Sequence, residues 1–175
     1  WVLDEHRYGL LPVIRGCWAL KGVRVHVPYA TRYQWGYLHE ALEVDGENRV
    51  ELLFTPAIDL DIHALFLTQI GQSDPAALHV VIQDQAGFHL RSGDSRLPAN
   101  VRLVPLPAYS PELNPVEKLG DLVKDAICNQ LFTDLRTLET AILAELEPLR
   151  ASGTRVAQLI GAGWLLDQAN AGAPT

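Results

Sequence analysis

Apolar positions along the chain fall into strand-like runs in the first two thirds and helical stripes in the last third. Residues 1–4 read as the end of a buried strand. Residues 17–20 and 23–27 suggest two short strands around Lys21-Gly22. Residues 34–44 and 49–55 flank Asp45-Gly46-Glu47-Asn48, an Asp-Gly turn between strand-like runs, which predicts an antiparallel hairpin ended by Pro56. Residues 59–70 carry Ile62, Leu65, Phe66 and Ile70 at the one-sided spacing of an amphipathic helix, with Asp59 or Asp61 as its cap. After the Ser73-Asp74-Pro75 break, the apolar, β-branched run at 78–82 predicts a buried parallel strand that delivers Gln83-Asp84 at its carboxyl end. A polar connection with a short helix over 89–96 leads to a last strand at 101–104.

Three apolar stripes follow: Val116, Leu119, Val123, Ala126 and Ile127; then Leu135, Leu138, Ile142, Leu146 and Leu149; then Val156, Leu159, Ile160 and Trp164. Hairpin, crossover helices and parallel strands together describe an α/β protein, a mixed five-stranded sheet flanked by helices with extra helices at the C-terminal end. The RNase H-like architecture has this order, as one of several α/β folds the pattern allows. The expected division is a core over 1–131, a helical extension of the same domain over 132–168, and a disordered tail over 169–175.

With 175 residues, 48% of them hydrophobic, the chain is long enough for one well-buried domain. It has no 18-residue apolar run and no signal-peptide pattern, so no membrane partner is expected. It opens at Trp1 and lacks methionine, which suggests a piece of a longer polypeptide. Cys17 and Cys128 match no metal-ligand spacing and read as reduced, buried thiols without a disulfide partner, as in a cytoplasmic protein. The net charge of −7 argues against a simple nucleic-acid coat. Residues 1–32 nonetheless hold five basic side chains (Arg7, Arg15, Lys21, Arg24, Arg32) against Asp4 and Glu5, a basic edge able to meet phosphate locally.

Chemistry concentrates in the stretch LPAYSPELNPVEKL, residues 106–119. Asn114-Pro115-Val116-Glu117 reads as a helix start: Asn114 can cap, Pro115 suits the first turn, and Glu117 falls where a capping box wants an acid. A cap alone does not explain the stiff approach through Pro105, Pro107 and Pro111, which fixes the whole path from the preceding strand. Rigid placement suits a glutamate that meets other acids. Asp84 and Asp4, each read at the end of an apolar strand, are the candidates. Three converging carboxylates repel unless a cation relieves them. Oxygen-only ligation suits Mg²⁺ or Mn²⁺, and a pair of such ions supports in-line attack at phosphorus.

These residues resemble the motifs of mariner-like DDE transposases, most closely the insertion sequence 630 family of bacteria. LPAYSPELNPVEKL with Asp121-Leu122-Val123-Lys124 is similar to the third catalytic motif. VVIQDQAGFH is similar to the second, and VLDEHRYGLLPVIRGCWALKG to the first. The resemblance covers residues 1 to about 131. It implies an RNase H-like catalytic domain that cleaves DNA at transposon ends and joins the freed 3′-hydroxyl to a target. Asp4, Asp84 and Glu117 would be the catalytic, metal-binding acids, with two Mg²⁺ or Mn²⁺ ions. Asp84 and Glu117 have 32 residues between them, close to the family's spacing. His89 matches the second-motif histidine, placed to touch DNA or a carboxylate, with a plain core or surface role as the alternative. Arg7, Lys21 and Lys124 are candidates for flanking DNA contacts. Trp18 reads as packing rather than base stacking, and Glu5, facing away from Asp4, as a salt-bridge or solvent residue. The resemblance further implies DNA (transposon ends and target) as partner, self-association of the full-length protein, nucleoid association when bound to DNA, and a separate amino-terminal DNA-binding part.

Two positions depart from the family's pattern. Gln85 stands where Asn is usual, and Gly120 where a large aromatic is usual, which predicts a gap beneath the catalytic helix. Three readings follow: an active transposase domain, a decayed or repurposed DNA- or protein-binding derivative, and another RNase H-like nuclease.

Overall fold

The structure, a computed structural model, describes residues 1–44, 46–107, 110 and 113–161. Its elements are β1 (Val2–Gly9), β2 (Trp35–Leu42), β3 (Val50–Thr55), α1 (Leu60–Ser73), β4 (His79–Gln83), β5 (Val101–Pro105), α2 (Glu117–Ile127), α3 (Leu135–Arg150) and α4 (Gly153–Ile160). The strands form one five-stranded sheet in the order β3-β2-β1-β4-β5. β1 and β2 pair antiparallel, as do β2 and β3, whereas β4 runs parallel to β1 and to β5. The mixed sheet, hairpin and flanking helices are those expected. The proposed tail over 169–175 and Trp164 lie outside the described residues.

Strand alternation gives the sheet two differently loaded faces. Leu3, Ala41, Val81 and Val101 point to one side and pack with Phe66, Leu67 and Ile70 of α1. Val2, Tyr8, Leu38, Leu42 and Val50 belong to the other side's cluster, with Val116, Leu119, Val123 and Ile127 and the stripe Leu138, Ile142, Leu146 and Leu149 of α3. The second cluster is continuous across α2, α3 and α4, so the C-terminal helices belong to the core. Asp59 caps α1, its side chain accepting from the Asp61 and Ile62 amides.

Several local expectations fail for identifiable reasons. β1 does not end at Asp4 but continues to Gly9, because β2 pairs with it along its whole length from Val2↔Leu42 to Gly9↔Trp35. Asp4 therefore sits mid-strand. No strand forms at 17–20 or 23–27; the Lys21-Gly22 turn is present, with Gly22 at φ 87°, but nothing on either side pairs. The residues from Leu11 to Gln34 instead make an extended excursion tied down near its ends. Asn129 N–H donates to Val13 O at 2.8 Å, and Leu10 N–H to Gln34 O at 2.9 Å. Trp18 is fully exposed and packs against nothing, and Cys17 and Cys128 are free thiols, neither buried. The connection after β4 turns repeatedly instead of forming a helix, and Gly93 at φ 90° interrupts any helical run. α1 is rotated from its expected face: Leu65 is exposed, and His63 lies buried beside Phe66, Leu67 and Ile70.

Neither departure at positions 85 and 120 leaves a defect. Gln85 Nε2 donates to Leu106 O at 3.0 Å. Beneath Gly120 there is no gap, because the His6 ring fills it: a Cβ at Gly120 would lie 3.2 Å from His6 Nδ1. A large ring at 120 and His6 exclude each other. Gly120→Trp is therefore predicted to destabilise the fold by about 1–3 kcal/mol through overpacking, and His6→Ala in the same chain to restore most of the loss, as measured by urea unfolding.

Candidate active site

The site forms where α2 begins over the middle of β1 and beside the carboxyl end of β4. Its joint is Asn114. The buried Asn114 amide donates from Nδ2 to Leu3 O at 3.0 Å and makes a long contact to Asp4 Oδ2 at 3.5 Å, while its Oδ1 accepts from Val116 N–H at 3.2 Å. One side chain thus ties the proline segment to β1 and turns the chain into α2. Tight turns follow, with Glu117 N–H donating to Asn114 O at 3.2 Å. The capping-box expectation is not met. The N-cap position is Val116, without a side-chain cap bond, and among the described residues the Glu117 carboxylate makes no hydrogen bond. That leaves an exposed glutamate at a helix start, available for other partners.

Asp4 projects from β1 toward α2. Its carboxyl pKa is raised from 3.8 to about 7, first by burial and then by the negative charges of Glu117, Glu5 and Asp84, although the Glu5 amide donates to it. Asp84, exposed just beyond β4, has one oxygen engaged. Oδ1 accepts from Ala86 N–H at 2.9 Å and lies 2.8 Å from His89 Nδ1, which hydrogen-bonds to the Asp84 main-chain carbonyl at 3.2 Å. Asp4 thus feels the negative charges of both Asp84 and Glu117, but the three do not close to the 4.8 Å mutual spacing of a compact ligand trio.

A fourth acid was not legible in the sequence. Glu40 of β2 stands directly opposite Asp4, is 1% exposed, and has its Oε1 buried without a hydrogen-bond partner. Its carboxyl is held well above the usual range by burial, then by the charges of Asp4, Glu117 and Glu5; Lys124 opposes this. The signal was a polar residue at an inward position, Leu38-His39-Glu40-Ala41-Leu42, inside an apolar strand.

On the opposite face lies a second, neutralised cluster. Glu5 Oε2 accepts from His89 Nε2 at 2.8 Å, and Glu5 Oε1 lies 3.3 Å from His39 Nδ1. Burial works against Glu5's charge, but these two histidines hold its pKa at about 2. His89 is likewise opposed by burial and raised by Glu5 and Asp84.

The profile of the family described as DDE superfamily endonuclease matches residues 1–139. The chain belongs to the DDE superfamily of endonucleases. A curated relative from Sinorhizobium fredii (strain NBRC 101917 / NGR234), named only as the uncharacterized protein y4pE/y4sA, is 34% identical over 108 residues, 61% of this chain and 78% of that protein. The fold is similar to the Mos1 transposase paired-end complex with left transposon end, at TM-score 0.58 and 13% identity, over 92% of this chain and 55% of that one. It is also similar to a pre-cleavage Mos1 transpososome, at TM-score 0.59 and 14% identity, over 91% and 55%. The chain spans about half the length of these solved structures.

As a DDE endonuclease the chain calls for divalent cations, and its donors fit them. Asp4, Asp84 and Glu117 offer only oxygen, and burial with unrelieved anionic repulsion is what a hard cation cancels. The one trio of possible ligand atoms within 4.8 Å among the described residues, Glu5, His63 and His89, does not fit. Leu90 N–H donates to His63 Nδ1 at 3.0 Å, so the ring's proton sits on Nε2 and blocks ligation there. His63 is held neutral, its pKa lowered to about 4 by burial and then by His89.

The flanking candidates are dispersed. Arg7 lies over the Trp35 ring at 6.0 Å, Lys21 occupies the exposed turn of the excursion, and Lys124 pairs with Asp121 at 3.5 Å. Of these, Lys124 is the one whose charge reaches Glu40 and His6.

The folded protein holds the Asp4 proton more tightly than the unfolded chain does. Without divalent cations, stability therefore falls as pH rises from 3.8 through about 7. In EDTA, melting temperatures recorded across this window should decline for the wild type and decline less for Asp4→Asn, with the variant's advantage largest at the alkaline end.

Proposed function

We propose that this chain is a transposase catalytic domain that cuts DNA strands at transposon ends and joins the freed 3′-hydroxyl to target DNA, with Asp4, Asp84 and Glu117 as its metal-binding acids. The observation that carries the reading is the surplus of negative charge around Asp4, half-buried on a strand and repelled by Glu117 and Asp84, in a chain of the DDE superfamily. The names of the similar Mos1 structures, among them a strand transfer complex and a paired-end complex with Mn, support DNA as partner and a divalent ion as cofactor.

Asp4 and Asp84 would flank the Mg²⁺ or Mn²⁺ ions and Glu117 would hold one of them. When bound, such ions activate the attacking oxygen and stabilise the leaving one. The protein's own part is placement. Asp84 Oδ1 is occupied by Ala86 N–H and His89, which leaves Oδ2 for a ligand. Asn114 holds the Glu117 end of α2 against Leu3 and Asp4. Glu117, exposed at the helix start, faces DNA and ions from outside, while Asp4 anchors the site from within. Lys124 and the basic side chains of the excursion would meet phosphate; self-association belongs to the full-length protein.

The reading predicts Mn²⁺-dependent nicking of duplex DNA bearing the element's terminal repeats. Asp84→Asn and Glu117→Gln should lower the rate at least about 100-fold, and Mn²⁺ should raise the melting temperature of the wild type but not of Asp84→Asn. Equal nicking by Asp84→Asn, or no thermal response to Mn²⁺ in the wild type, would refute it. Faster cleavage of an RNA–DNA hybrid would instead mark a different RNase H-like nuclease.

A further inference from the structure

Asp84 sits on coil beyond the end of β4, with more than half of its side chain exposed, and no strand partner fixes its carboxylate. What fixes it arrives from the opposite face of the sheet. His89 Nδ1 hydrogen-bonds to the Asp84 main-chain carbonyl at 3.2 Å and lies 2.8 Å from Asp84 Oδ1, and His89 Nε2 donates to Glu5 Oε2 at 2.8 Å. A carbonyl and a carboxylate oxygen can only accept, so both ring nitrogens carry protons and the imidazolium is clamped at its two ends, with Asp84 Oδ1 against the Nδ1 side. Glu5 is held in turn by His39. Its Nδ1 lies 3.3 Å from Glu5 Oε1, and its Nε2 lies 3.1 Å from Thr55 Oγ1. Thr55 gives its own proton to Ala57 O at 2.7 Å, so it accepts from His39. The line therefore runs from the end of β3 through β2 and β1 to the residue just past β4.

Burial makes the line rigid. The side chains of His39, His89 and Glu5 are 0%, 2% and 5% exposed. His39 packs on Phe66, and the His89 ring lies 4.6 Å from that of His63. Glu5 makes no approach to the cleft on the α2 side, since strand alternation turns it away from Asp4.

We propose that Glu5 is a positioning residue of the cation site: acting through His89, it fixes the Asp84 carboxylate so that Oδ1 is occupied and Oδ2 is presented to the ion. This rests on the functional reading above and adds a residue to it. Glu5 touches neither substrate nor ion. A merely structural salt bridge between Glu5 and His89 would affect folding stability without affecting what Asp84 binds.

Mn²⁺ affinity, measured by calorimetry on the wild type, Glu5→Gln, His89→Gln and the double variant, separates these roles, with melting temperature in EDTA recorded for each. The expected result is a loss of affinity of about tenfold or more in each single variant, the range typical of residues that orient a ligand, and no further loss in the double variant. Folded single variants that bind Mn²⁺ as the wild type does, or losses that multiply in the double variant, would overturn the proposal. If Glu5→Gln does not fold, nitrogen NMR of the histidine rings in the wild type decides. Adding Mg²⁺ should move the His89 and His39 signals and leave His79 in place, and unmoved His89 and His39 signals would overturn it. A wild type that binds no Mn²⁺ removes the functional reading itself, and this proposal with it; a wild type that binds while the variants do not differ removes this proposal alone.

Discussion

A single buried amide holds the site together. Asn114 spans 111 positions of sequence to reach the Leu3 carbonyl, and the same side chain turns the chain into α2 through Val116. Without that joint, nothing local would force Glu117 toward Asp4. A charged helix start over a half-buried carboxylate is electrostatically unfavourable, and Asp4 feels Glu117 as a repulsive neighbour. The prolines at 105, 107 and 115 and the core contacts of Val116, Leu119 and Val123 oppose that repulsion by leaving the segment little alternative path.

The sheet keeps two kinds of charge apart. On the side of α2, Asp4 and Glu40 stand opposite each other with Glu117 nearby, and among the described residues Lys124, the cation whose charge reaches Glu40, is already paired with Asp121. On the side of α1, Glu5 is paired with His39 and His89. Adjacent residues of one strand, Asp4 and Glu5, thus have opposite carboxyl shifts, one raised and one lowered, purely because alternation sends them to different faces. His89 connects the two systems through Asp84. The surplus on the first side is the feature that a divalent cation would relieve.

Much of this was legible in the sequence, and what was not has physical causes. The hairpin, α1, β4 and the first two C-terminal stripes have strong periodicity, and each forms along the chain where the pattern put it, as does the part of the third stripe up to Ile160. Strand limits were weaker: Asp4 looked terminal because His6 and Arg7 break the apolar run, yet pairing with β2 carries β1 to Gly9. Residues 17–20 and 23–27 have strand-like composition but no partner strand, and composition alone cannot supply one. For Gly120 the expected void assumed that nothing else would fill it; His6, four residues past Val2 on the same face of β1, does. Glu40 and the inner histidines were hidden because a polar residue in an apolar strand reads as noise until its cross-strand neighbour is known.

The central claim is that the negative charge gathered around Asp4 is a divalent-cation site shared by Asp4, Asp84 and Glu117. Anomalous diffraction from Mn²⁺-soaked crystals tests it most directly. The account predicts Mn²⁺ peaks in the cleft within coordination distance of all three carboxylates, with Asp84 Oδ2 rather than Oδ1 as its ligand. Peaks elsewhere, or a cleft that stays empty while Glu117 turns back onto the Asn114 amide, would contradict it.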